Sequence, residues 1–314
     1  MRNWQTESNN WKMKLLNPEV RIETTNLCNA NCVMCNHGRI LRPHGVMSNE
    51  FFGSLVRQAH FLGAELISPF GFGEPFMDKE LETKVLIAHL MGLNTFITTN
   101  GSLATPERMI KLYENGLSHI RFSIHGLNRV DFENVQRGLK WMPSLLNIYR
   151  AIQIRDENKY PTEISVTVIP MNGEPVELIR KFWEGIVDWL EIWKPHNWSC
   201  VMDYRQNTEN RRKTCGRPHK GPVQIQWDGR VIPCCFLTDA ELVLGDTHEK
   251  TIEQILKDKP YQELRQKHES GDLEGLPCQF CDQLNIEDGS PLLYSNRDED
   301  MNINCTSSAK YQLM

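Results

Sequence analysis

The chain has 314 residues, 40% hydrophobic and 24% charged, which is an ordinary globular composition. Its net charge of −5 gives no basic surface for nucleic acid or anionic membrane. No apolar run approaches the ~18 residues of a membrane span, and the polar start MRNWQTESNNWKMK has no apolar signal core, so the reading is a cytoplasmic protein.

From residue 20 to residue 200 short β-rich runs alternate with helix-length amphipathic segments. The candidate strands are VRIETTN (20–26), ELISPFGF (65–72), NTFITTN (94–100), HIRFSIH (119–125), EISVTVI (163–169) and WLEIWK (189–194). Short β-branched runs separated by helices predict a parallel sheet with crossover helices. Ser48 caps a helix carrying Phe51, Phe52, Leu55, Val56 and Ala59 that stops at Gly63. Thr105-Pro106-Glu107 starts another, expected to bury Met109, Ile110, Leu112 and Tyr113. Pro175 starts a third, with Leu178, Ile179, Phe182 and Ile186 on one face. Six βα units fit a partial, TIM-like (βα)6 barrel better than a full eight-unit barrel of ~250 residues. A doubly wound open sheet is the alternative. In either case ligands gather at the carboxyl ends of the strands.

After residue 200 the character changes. RQNTENRRKTCGRPHK is polar and basic, and VQIQWDGRVIPCC reads as a β-hairpin turning at Asp228-Gly229. KTIEQILKDKPYQELRQKHESG reads as one or two short helices, and an acidic tail after it as partly unstructured. The expected division is an extension (1–19), a core (20–200), a cysteine-rich domain (201–290) and a tail (291–314).

Ten cysteines in a cytoplasmic chain point to metal rather than disulfides, and none lies between residues 36 and 199, so two separate sites are expected. Cys28, Cys32 and Cys35 are spaced C-x3-C-x2-C directly after the first strand. Three thiolates suit zinc, with His37 as a possible fourth ligand, or an iron–sulfur cluster with one iron left open. Cys215, Cys234, Cys278 and Cys281 form the second set; spacing alone leaves a zinc ribbon and an iron–sulfur cluster equally open.

The C-x3-C-x2-C spacing resembles the signature of the radical S-adenosylmethionine (SAM) superfamily. GFGEP (71–75), TTNG (98–101) and SIHG (123–126) follow in that family's order, each at the end of a strand. The resemblance implies that Cys28, Cys32 and Cys35 hold a [4Fe–4S] cluster whose open iron takes the amino nitrogen and carboxylate of SAM. It also implies that Gly71, Phe72, Gly73, Glu74, Asn100 and Ser123 bind SAM, the glycines letting the backbone approach its amino group. One electron from the cluster would cleave SAM to a 5′-deoxyadenosyl radical that takes hydrogen from substrate carbon. Met34, where the family often has an aromatic residue, can still pack over a cluster.

The second cysteine set resembles the accessory domains called SPASM and twitch. Ile286 and Glu287 stand where the full seven-cysteine SPASM pattern goes on to further cysteines. The shortened twitch form, with one auxiliary [4Fe–4S] cluster, therefore fits better; a radical SAM alcohol oxidase carries it. The resemblance implies an oxidation of a small molecule, sugar or aminocyclitol-like, with an electron donor such as flavodoxin or ferredoxin. Only about 20 residues precede the core, few for the N-terminal recognition domain that many peptide-modifying relatives carry. The alternatives are an epimerase, a peptide-modifying maturase and a non-enzymatic zinc scaffold. Cys200, ending the sixth strand segment, is a candidate hydrogen donor; Cys235 reads as a packed thiol and Cys305 as incidental or a spare ligand. Arg39 is a candidate anchor for a carboxylate or phosphate, and His125, Glu74, Tyr204 and Arg205 are candidates for proton removal or anchoring.

Overall fold

The computed structural model describes residues 14–199, 201–286 and 291–297. In chain order its first part runs β1 (Glu19–Ile22), a two-residue β2 (Asn31–Cys32), α1 (Asn49–Phe61), β3 (Leu66–Ser68), α2 (Leu81–Leu90), β4 (Asn94–Thr99), α3 (Pro106–Glu114), β5 (His119–Ser123), α4 (Arg129–Val135), a two-residue β6 (Gln136–Arg137), α5 (Trp141–Asn158), β7 (Glu163–Val168), α6 (Val176–Trp183) and β8 (Trp189–Trp193). The six principal strands pair in parallel in the order β1-β3-β4-β5-β7-β8. Sheet order follows chain order, so the doubly wound alternative, which reverses at a switch point, is set aside. The winding is that of a barrel built from six units.

The local signals explain the elements. Ser48 accepts the Phe51 N–H at 3.1 Å and caps α1. Pro106 stands at the first turn of α3. β1, β3, β4 and β7 are buried on both faces over most of their length, as strands of a parallel sheet covered by helices are. Two expected core positions are not core: Ile110 on α3 is 37% exposed and Leu178 on α6 is 53% exposed. Each lies beyond the helix stripe that Met109, Leu112 and Ile179 turn to the sheet.

The second part adds α7 (Arg217–Lys220), β9 (Val223–Ile225), β10 (Arg230–Ile232), a two-residue β11 (Gly245–Asp246), α8 (Ile252–Lys257), α9 (Lys259–Ser270) and β12 (Leu292–Ser295). The hairpin β9–β10 turns at Gly229 with φ 87°, the left-handed position such a three-residue loop needs. It does not stand apart from the barrel: β9 lies parallel against β1, with Arg21 opposite Gln224. At the far side β12 pairs antiparallel with β8, so four residues of the tail that read as unstructured extend the same ten-stranded sheet. Among the described residues no helix is long and apolar enough to cross a membrane.

Candidate active site

The cysteine loop leaves the carboxyl end of β1 and is tied down on three sides. Its β2 segment pairs with β6, so Cys32 lies opposite Gln136. Asn29 donates to Ser102 Oγ at 2.8 Å and accepts from Asn100 Nδ2 at 2.9 Å. The segment after β8 and the second domain close the third side: Trp198 Nε1 donates to the Met34 carbonyl at 2.8 Å and Asn36 Nδ2 to Thr238 Oγ1 at 2.7 Å. Cys28, Cys32 and Cys35 all line one central cavity of about 370 Å³, with Met34 beside them. Burial pushes the Cys28 thiol up to about 11, and Cys32 and Cys35 also rise for that reason. Three half-buried thiols that repel one another as anions are a poor arrangement for free cysteines and a suitable one for ligands, which a metal holds as thiolates.

Gly71, Phe72, Gly73, Glu74, Asn100 and Ser123 line the same cavity. The structure gives the two glycines a packing reason that the sequence reading did not contain. A Cβ on Gly71 would stand 2.6 Å from the Glu23 side chain, and one on Gly73 2.5 Å from the carbonyl oxygens of Thr25 and Leu27. Glu74 is fully buried and accepts from Thr99 Oγ1 (2.6 Å), Asn100 N (2.7 Å) and Phe76 N (3.1 Å). Burial raises its pKa against the lowering effect of those bonds. Glu74 is therefore a brace between two strand ends rather than a proton acceptor. Asn100 is also largely committed, its Oδ1 accepting from Ser102 N and Oγ at 2.9 and 2.7 Å. Thr98 Oγ1, buried at the cavity wall, has no partner among the described residues.

His125 lines the cavity, and its Nδ1 accepts the Ile169 N–H at 3.0 Å. The ring hydrogen therefore resides on Nε2. Burial, helped by Arg121, lowers its pKa to about 3. His125 is a neutral hydrogen-bond donor near neutral pH, which fits anchoring and not proton removal. Arg39 is not brought to the cavity: it is exposed and Nη1 donates to the Val201 carbonyl at 2.6 Å. The short helical turn 36–39 that carries it faces the second domain. His37 donates from Nε2 to the Asn26 carbonyl at 2.8 Å, Tyr204 donates to the Val33 carbonyl at 2.7 Å, and Arg205 pairs with buried Asp282 at 3.2 Å. All three hold loops. Cys200 and Cys305 lie outside the described residues.

Cys215, Cys234, Cys278 and Cys281 surround a second, much smaller cavity. Burial pushes Cys278 up to about 12 and raises Cys234 and Cys281 as well. Arg217 and Phe236 line both cavities, so a single layer of side chains separates the central cavity from the second cysteine set. Cys235 is not packed away as the sequence suggested. It lines the central cavity, and Arg217 Nη1 donates to its sulfur at 3.1 Å.

Sequence reasoning also missed Glu23. Its carboxylate takes both Nη atoms of Arg42 at 2.8 and 2.7 Å, the Phe72 N–H at 2.9 Å and the Trp227 N–H at 3.1 Å. One buried acid thus joins β1, the glycine loop and the hairpin. Its only sequence signal was a charge at the end of a buried strand.

A strand-end cavity holding three thiols, with four more thiols behind one wall, defines the class. The chain belongs to the radical SAM superfamily, whose model matches residues 22–184. The model of the SPASM iron–sulfur cluster-binding domain matches residues 215–282. The cofactors are SAM, the [4Fe–4S] cluster that binds it and an auxiliary [4Fe–4S] cluster. The GTP 3′,8-cyclase of Pelotomaculum thermopropionicum is 28% identical over 155 residues, covering 48% of this chain and 46% of that protein. The chain spans less than half the length of this and the next curated relatives it matches. Among solved structures, BtrN in complex with AdoMet and 2-DOIA superposes with a TM-score of 0.62 at 19% identity, covering 87% of this chain and 95% of that one. Streptococcus suis SuiB bound to precursor peptide SuiA gives 0.65 at 14% identity, covering 87% and 71%. At these identities the likeness is one of fold.

Proposed function

We propose that this chain oxidises a small molecule by two electrons, with Cys28, Cys32 and Cys35 holding the cluster that binds SAM and Cys215, Cys234, Cys278 and Cys281 holding the auxiliary one. The observation that carries the reading is the shared wall: Arg217 and Phe236 separate the central cavity from the second cysteine set. The first site fits its group, because three half-buried thiols converge on the cavity that contains the glycine loop and the Thr98 hydroxyl, which has no partner among the described residues. When bound, the cluster and SAM supply one-electron reduction of a sulfonium and removal of a hydrogen atom from carbon. An alcohol carbon so treated must then lose a proton and one electron to become a carbonyl. Cys215, Cys234, Cys278 and Cys281, behind the Arg217–Phe236 wall, would hold a cluster able to accept that electron.

The residues of the chain do the positioning. The Glu74 brace fixes Thr99 and Asn100, and through Asn29 the cysteine loop. Thr98 and Ser123 offer hydroxyl groups to the nucleoside, and His125 offers Nε2–H to bound ligand. Phe72 and Trp198, with ring centroids 6.2 Å apart, and Phe236, 5.7 Å from Trp198, form an apolar rim that excludes water. The compact cavity favours a small substrate over a peptide. A flavodoxin or ferredoxin is the expected electron donor.

A second reading, epimerisation, is favoured by Cys235, a thiol on the cavity wall able to return a hydrogen atom, the thiyl radical so left taking one electron from the external reductant and a proton from solvent. Anaerobic incubation with SAM, dithionite and candidate polyols in deuterated water separates the two. Oxidation yields a carbonyl and a Cys235→Ser variant that still turns over. Epimerisation yields solvent deuterium in the product and a variant that stops after hydrogen abstraction. No 5′-deoxyadenosine under any condition would end both readings.

A further inference from the structure

The central cavity has two chemically different walls. One carries the thiols, the glycine loop, Asn100 and Ser123. The other is made where β1 meets the second domain, and it presents hydrogen-bond donors on fixed cations. Arg21 and Gln224 are register partners on adjacent parallel strands, so both project to the same face, and both are buried (6% and 7% exposed). Arg217 joins them from α7. Each guanidinium is held from behind. Arg21 places Nε and Nη2 on Glu19 at 2.7 and 3.4 Å and lies over the Phe70 ring at 5.7 Å. Glu19 is itself fixed by Ser68 Oγ at 2.7 Å. Arg217 lies over Phe236 at 5.0 Å and donates to Cys235. Arg121, the third arginine of the cavity, is paired with Glu191 at 2.9 Å and stands two residues from Ser123 on the SAM side.

Among the described residues that line the cavity the one carboxylate is Glu74, and three donors already occupy it. A buried wall of planar donors whose rotamers are already fixed loses little entropy on binding.

We propose that Arg21, Arg217 and Gln224 form a subsite for an anionic oxygen group of the substrate, a carboxylate or a phosphate monoester. The inference deepens the proposed function and rests on its assignment of this cavity as the substrate site. It places the anion against the second-domain wall and turns the rest of the substrate toward the thiol wall. It also narrows the substrate from any polyol to an acidic or phosphorylated one.

Isothermal titration of the reconstituted, SAM-saturated holoenzyme tests it, with inorganic phosphate, malonate and, as a neutral control, scyllo-inositol. At least one anion is expected to bind, more weakly as ionic strength rises, and about tenfold more weakly in Arg21→Gln or Arg217→Gln. The phosphate and malonate arms distinguish the two anion classes. Arg21→Gln leaves Glu19 without its cation and can misfold, so Arg21→Lys and Gln224→Leu accompany it; both are expected to weaken binding several-fold. The electron paramagnetic resonance (EPR) response to SAM is recorded in every sample, so failure of the SAM site registers separately from failure of the subsite. The proposal is overturned if neither anion outbinds the neutral polyol. It is equally overturned if the variants bind as the wild type does, or if SAM and the anion compete.

Discussion

Replacing Gly73 with alanine tests how closely the glycine loop is pressed against the segment that delivers the cysteines. The added Cβ would lie 2.5 Å from the carbonyl oxygens of Thr25 and Leu27 and 2.8 Å from the Asn26 carbonyl carbon. Ordinary contact begins near ~3.5 Å, so each oxygen must retreat by about 1 Å. All three are main-chain atoms, and no side-chain rotation relieves the overlap. Overpacking of this kind costs roughly 1–3 kcal/mol. The adjacent Glu74 N–H to Leu27 carbonyl bond, 2.8 Å long, adds about 1 kcal/mol if it breaks. The expected loss is therefore about 2–4 kcal/mol. Relief by moving residues 25–27 instead shifts Cys28, and a shift of ~1 Å at a reacting site costs on the order of 100-fold in rate. Anaerobic denaturant unfolding reads the first effect, and the SAM-induced EPR change the second. Gly53→Ala is the control. Gly53 lies inside α1, its nearest neighbour to a new Cβ is Ile87 at 3.7 Å, and the same substitution should stabilise by roughly 0.5–1 kcal/mol. A Gly73→Ala protein with the wild-type unfolding midpoint and an unchanged SAM response would refute the reasoning.

Arg42→Met should cost about 3–5 kcal/mol in the same unfolding assay, because it leaves the Glu23 carboxylate buried without its cation; a loss under about 1 kcal/mol would remove Glu23 from its role as a joint. Stability should fall on acidification through His125. Its folded pKa of about 3 lies below the free value of 6.5, so its contribution is complete above pH 6.5 and is lost as pH falls toward 3. At pH 5 that loss is about 2 kcal/mol, and a His125→Gln variant should show that much less change between pH 7 and pH 5. Cys278→Ala with Cys281→Ala should lower iron from about eight to about four atoms per chain. SAM cleavage should persist, with more 5′-deoxyadenosine formed per product; an unchanged iron count would take these residues out of the ligand set.

The six principal strands were legible because most of them are buried on both faces, and Val, Ile, Phe and Thr dominate them. The loops that follow were legible because cysteine and glycine punctuate them. What the sequence hid was pairing at a distance. Glu23 and Arg42 stand 19 positions apart with no periodic pattern to link them. Arg21 sits mid-strand, where its role depends on Gln224, a residue of another domain. Cys235 looked inert beside Cys234 because adjacent residues on an irregular segment face directions that composition does not record. The strand Leu292–Ser295 was obscured by the acidic residues around it, although its four residues alone have strand character.

The parallel ladder between β1 and β9 has a consequence for how such a chain can be taken apart. One edge of that ladder leads into Cys28 and the hairpin on the other leads into Cys234, so the spacing between the two cysteine sets is set by main-chain hydrogen bonds and not by a hinge. A truncation near residue 200 would bare the buried margin of β1 with its unpaired main-chain groups, an invitation to self-association, and the halves should be recoverable only as one piece.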